Sequence, residues 1–241
     1  MTETATEAAA PAARASLWED FIDIFYAPRE VYARRREAGF GLVLVIVTVL
    51  MTALFFAAQG PLADAFAAEF RRGMAQAGAA GQQMTAEQME GARRMGTIFG
   101  TMAMLVGIPL GVVLIGLALW GLGKLFGSVA TAGMAILVVT YAQFPRVLQT
   151  VAMLLQGLLF APPSLAGTSL GPARFFDPDV TSAVLMATLM RLDVFYIWST
   201  VLIAIGAQVL GRVPKAQSYL LAALVWVVGG LVPVLGALVR G

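Results

Sequence analysis

Apolar residues in this chain come in long runs separated by shorter polar segments. Five runs stand out, at about residues 40–58, 97–122, 130–161, 192–210 and 220–239. A helix rises about 1.5 Å per residue, so roughly 20 apolar residues cross a hydrocarbon core of about 30 Å. The pattern predicts an all-α fold: a polytopic membrane helical bundle with five transmembrane helices. The third run is too long for one straight span. Its halves, about fifteen residues each, are too short to cross alone. It reads as one long, tilted helix broken at Pro145.

Between the runs the period is helical. Ser16-Leu17-Trp18-Glu19 has capping-box spacing, and Leu17, Phe21, Ile24 and Phe25 then share one face, with Glu19, Asp20 and Asp23 elsewhere. This predicts an N-terminal amphipathic helix, interrupted at Ala27-Pro28. A helix lying on anionic lipid carries Lys and Arg on its polar face. The acidic face here favours docking on the protein's own bundle or on a partner, with Trp18, Phe21, Phe25, Pro28 and Tyr32 as candidate partner contacts.

Between the first two runs, Leu62, Phe66, Phe70 and Met74 recur every four residues. Thr85 with Gln88 forms a second capping box, Met84 with Met89 a staple, and the helix begun there runs into the second run. The 96/100 and 107/111 glycine pairs have GxxxG spacing and read as close helix packing, and Pro109 as a kink. Asp177-Pro178 reads as a helix start, and Val180 to Met190 as a short apolar segment at the interface. Residues 1–15, rich in Ala, Thr, Glu and Pro, read as a disordered tail with no signal peptide, leaving residues 16–241 as one membrane domain.

Composition narrows the function. The mean hydropathy is +0.82, and there is no Cys and no His. Thiol nucleophiles, imidazole bases, disulfides and the usual zinc, haem and iron–sulfur ligand sets are thereby excluded. No catalytic, metal or cofactor residue is predicted. Sixteen basic and 14 acidic residues leave a net charge of +2, with no basic patch for nucleic acid. Arg34-Arg35-Arg36 before the first run, and Arg212 with Lys215 between the last two, place the N-terminus in the cytoplasm and the C-terminus outside. The arginines themselves read as anionic-lipid contacts. Arg71, Arg72, Arg93 and Arg94 run against that orientation, offset by Asp64, Glu69, Glu87 and Glu90.

Tyr141, Gln143, Arg146, Gln149 and Asp193 form a candidate intramembrane polar site. Charge within a span is costly and faces a bundle interior or a wet cavity. One reading is a transport or ligand site. The favoured reading has Arg146 snorkelling near the outer end or pairing with Asp193. No internal repeat of the transporter kind is present.

The segments Leu17-Trp18-Glu19 through Phe25-Tyr26-Ala27-Pro28-Arg29-Glu30-Val31, Tyr141-Ala142 with Pro145, and Leu192-Asp193-Val194-Phe195 with Trp198, Gly206, Lys215 and Ala216 resemble, in order and spacing, the Yip family of Ypt/Rab-interacting membrane proteins. The likeness covers roughly residues 16 to 235, and the Arg-rich, Lys-poor composition looks like its bacterial branch. The resemblance implies five spans, a cytoplasmic N-terminus and no catalytic site. Eukaryotic relatives bind prenylated Rab-type GTPases and one another in vesicle trafficking. Bacteria lack that system, so a GTPase partner is not carried over. The short N-terminal tail and the long 59–96 loop depart from those relatives. The resulting expectation is a non-catalytic protein of the inner membrane that contacts lipids and binds another membrane protein or itself. A small-solute transporter or channel around Arg146 is the alternative.

Overall fold

The computed structural model describes residues 16–76 and 85–240; the expected tail and Met84 of the expected staple lie outside them. The chain forms α1 (Leu17–Asp23), α2 (Pro28–Arg34), α3 (Gly41–Ala58), α4 (Ala63–Gln76), α5 (Ala86–Leu125), α6 (Ala132–Tyr141), α7 (Phe144–Phe160), α8 (Ala183–Met190), α9 (Val194–Gly211) and α10 (Lys215–Arg240). Two 3₁₀ turns, Ala166–Thr168 and Pro172–Phe175, lie between α7 and α8. No strand occurs among the described residues.

Among the described residues, four helices are long and apolar enough to cross a membrane: Gly41–Ala58, Glu90–Leu125, Val194–Gly211 and Lys215–Leu238. The third apolar run is two helices, not one. Pro145 has no N–H to give the Tyr141 carbonyl, and its ring crowds that carbonyl. The chain therefore turns at Ala142-Gln143 and restarts with Pro145 in the first turn of α7. α5 continues unbroken through Pro109 as 40 helical residues, begun by the Thr85–Gln88 capping box. Ser182, not Asp177, caps α8; the Asp177 carboxylate instead accepts from the Asp179 N–H at 2.9 Å and holds a turn.

Backbone contacts define two ends of the bundle. At one, Val129 N–H donates to the Gly211 carbonyl (3.0 Å), which sets the α5–α6 turn beside the α9–α10 turn. Arg36 donates to the Val209 carbonyl at 2.9 Å and ties the approach to α3 to that same turn. At the other end, Arg72 of α4 pairs with Asp179 at 2.6 Å. There Leu62 also packs where a side chain at Gly157 of α7 would stand, 2.8 Å from its Cγ. The α6–α7 pair starts at the first end and finishes at the second.

α5 lies along α6, α3 and α10, while α9 lies along α10, α6, α7 and α2. The GxxxG pairs do not mediate the tight crossings. At Gly100, Gly107 and Gly111 a Cβ would meet nothing within 4 Å, and at Gly96 it would meet only the Phe70 ring, at 3.6 Å. The close approach is one turn beyond, where a Cβ on Gly116 would stand 2.7 Å from the Ile136 Cα. Gly206 makes a second one, 2.5 Å from the Val138 side chain. Around these crossings sits the main core, with Val47, Leu137, Val138, Leu202, Leu210 and Leu221 at its centre.

Candidate functional site

The N-terminal helices fold into a hairpin that lies along α9. Ser16 caps α1 by the expected box: Ser16 N–H donates to Glu19 Oε2 (3.0 Å), and Glu19 N–H donates to Ser16 Oγ (3.2 Å). Pro28 starts α2 in its first turn. Asp20 has no exposed surface. One carboxylate oxygen takes Arg34 at 2.6 Å; the other takes Arg35 at 2.5 Å and the Tyr141 hydroxyl at 2.8 Å. A buried carboxylate is tolerated only when its lone pairs are filled, and here two cations and a phenol fill them. Arg34 also reaches Asp23 at 2.6 Å.

The Tyr26 hydroxyl donates to Asp23, and together with the Arg34 guanidinium it holds that carboxyl below the usual range. The sign is that of a depressed acid: its stabilising share is full above the ordinary carboxylate range and is lost as pH falls through the lowered value. Arg29 donates to Gln208, and the expected lipid role of Arg34-Arg35-Arg36 gives way to these contacts with the protein itself.

Of the five candidate partner contacts, three face inward. Phe21 packs tilted against Phe144 (centroids 4.6 Å), and Phe25 meets Trp198 edge-on (5.2 Å). Tyr32 is fully buried and donates to the Val138 carbonyl at 3.3 Å. Pro28 is half-buried. Trp18 stays outward at 74% exposure, joined by Ile22 (63%) and Tyr26 (71%), one and two turns along. Trp18 was among the expected contacts, but Ile22 and Tyr26 were not, because the periodicity set Asp20 off the docking face. The three consecutive arginines were the available signal that one acid is buried.

The five candidate polar residues do not form one site. Gln143 and Arg146 line a cavity of about 380 Å³ between α3, α5, α6, α7, α9 and α10. Tyr141 turns toward Asp20, and Gln149 accepts from Arg146 Nε at 2.7 Å. Asp193 and Arg146 are not paired. Asp193 caps α9 through the Phe195 N–H, and its other oxygen accepts from the Ser169 hydroxyl (2.9 Å) and the Leu170 N–H (2.8 Å). With its acceptors filled, it fastens the 161–193 segment to α9. Arg146 instead lies over the Tyr196 ring, 3.5 Å from its centroid. Arg191, which periodicity did not single out, joins the cavity wall; the Gly229-Gly230 pair in the last apolar run was the clue to the room it occupies. Among the described residues, no group of three or more His, Cys, Asp or Glu is placed to hold a metal ion.

The sequence matches the Yip1 domain over residues 22–236. No curated protein and no solved structure matches the chain.

Proposed function

The chain belongs to the Yip1 domain family, and from that premise we propose that this multi-pass membrane protein is a non-catalytic scaffold that binds another membrane protein through its N-terminal hairpin. The α6–α7 pair serves as a fifth crossing beside the four long helices, which sets the N-terminus and the C-terminus on opposite faces. By the charge of the Arg212–Lys215 turn, the N-terminal face is the cytoplasmic face of a bacterial inner membrane.

One observation carries this reading. The 17–26 segment uses Asp20, Phe21 and Phe25 to fasten itself to the bundle, and among the described residues it leaves Trp18, Ile22 and Tyr26 as a largely exposed outward stripe. Large exposed aromatic residues on a rigid support are the composition of protein interfaces. Glu19 flanks the stripe, and its charge opposes an anionic bilayer and suits a protein partner. The transport alternative is weaker, since only two of its five residues meet at the cavity.

Photo-crosslinking from residues 18, 22 and 26 in cells, with mass spectrometry of the products, tests the proposal. A discrete protein adduct from at least two of the three positions is expected. Crosslinks to lipid alone would overturn the interface.

A further inference from the structure

The cavity carries a second inference, independent of the hairpin's role. It is lined by Arg146, Arg191, Gln143, Tyr196, Ser199 and Thr200 among apolar neighbours, and by no carboxylate. Neither guanidinium forms an ion pair among the described residues; Arg146 rests on Tyr196, and Arg191 lies 4.8 Å from the Trp226 ring centroid and 5.6 Å from that of Tyr196. Two cations thus share one aromatic ring without a counter-charge. Arg191 is held in place: it donates to the Trp226 carbonyl, and a Cβ on Gly230 would stand 2.9 Å from its Nε. Its Nε is nevertheless buried with no acceptor. Ser199, only 9% exposed, has a hydroxyl with no partner either. Leaving a buried donor open is costly, and more so when it is charged. Charge within a membrane bundle faces a ligand path or a partner.

We propose that this cavity binds a phosphate-bearing anion, held by Arg146, Arg191 and the Ser199 hydroxyl. A guanidinium fork matches two phosphate oxygens, and a tetrahedral anion accepts from several directions at once, which is the demand that two arginines and a hydroxyl make. The volume falls within the roughly 300–1,000 Å³ of small-ligand sites and accepts a phosphate with its attached alcohol. The anion is either the headgroup of an acidic phospholipid or a soluble phosphate ester, and the chemistry of recognition is shared.

Two arms separate the sources. In one, inorganic phosphate is titrated calorimetrically onto the protein in nanodiscs of phosphatidylcholine. In the other, native mass spectrometry counts phosphatidylglycerol retained by the detergent-solubilised protein, against phosphatidylcholine. One equivalent bound in either arm, weakened at least tenfold by Arg146→Gln and by Arg191→Gln but unchanged by Arg174→Gln at the exposed Arg174, is expected. The arm that responds names the source. Arg146→Lys and Arg191→Lys keep the charge and lose the fork, and they carry the test where a glutamine variant does not fold. No binding in either arm, or binding that the arginine substitutions leave unchanged, would overturn the proposal.

Discussion

Asp20 is the residue on which the N-terminal hairpin depends. It sits on the buried side of a seven-residue helix that would be marginal alone, since short helices owe their stability to tertiary contacts. Asp20→Asn leaves Arg34, Arg35 and Tyr141 facing a neutral amide. Breaking a buried pair costs roughly 3–5 kcal/mol, and the low end, about 3 kcal/mol, applies because both arginines keep some contact with water. Thermal or detergent-induced unfolding should show that loss, while Trp18→Ala, at an outward position, should leave the midpoint unchanged. Equal stability of Asp20→Asn and the native protein would mean that the hairpin is not held by this acid. The spacing of Leu17, Phe21, Ile24 and Phe25 was legible as a docking face. The burial of Asp20 was not, because local periodicity weighs an acid by its own hydration and carries no information on cations 14 and 15 residues away. The same blindness paired Arg146 with Asp193: each was the conspicuous charge of its run, and of the partners that occupy them only Gln149 stood out in sequence, while Tyr196, Ser169 and Leu170 are unremarkable there.

Among the elements, the helix ends were the most readable features and the helix crossings the least. Capping boxes at Ser16 and Thr85 reside in four contiguous residues, and both form. The break at Pro145 was visible for the same reason, although the rule that a crossing helix needs about 20 residues favoured one helix over two. Crossings depend on which face of a helix meets its neighbour, and five glycines in one apolar run offer several choices. Gly116 is the one at the α5–α6 crossing, where its neighbour is backbone and cannot swing aside. Alanine there gains up to about 1 kcal/mol of helix propensity and loses about 1–3 kcal/mol to overpacking. Gly116→Ala should therefore lower stability by about 1–2 kcal/mol, whereas Gly100→Ala, into open space, should be neutral or stabilising. The reverse order would return the α5 contact to the GxxxG pairs.

At the scale of the molecule, the two ends of the bundle carry different chemistry. One holds the short turns 126–131 and 212–214 and the tie from Arg36; the other holds α4 and the 161–193 segment, joined by Arg72 and Asp179. The division requires the α6–α7 pair to carry the chain from one end to the other, although neither helix alone has the length of a span. The absence of cysteine from the chain makes the side of each segment directly measurable. Single cysteines at the exposed positions Glu87, Val129, Val180 and Ala216 would be labelled in intact cells with a membrane-impermeant maleimide, before and after permeabilisation. Five crossings predict that Cys at 87 and 180 react from outside while Cys at 129 and 216 react only once the membrane is opened. Cys at 129 and 180 reacting from the same side would mean that the α6–α7 pair dips into the membrane and returns, and would contradict the five-pass arrangement.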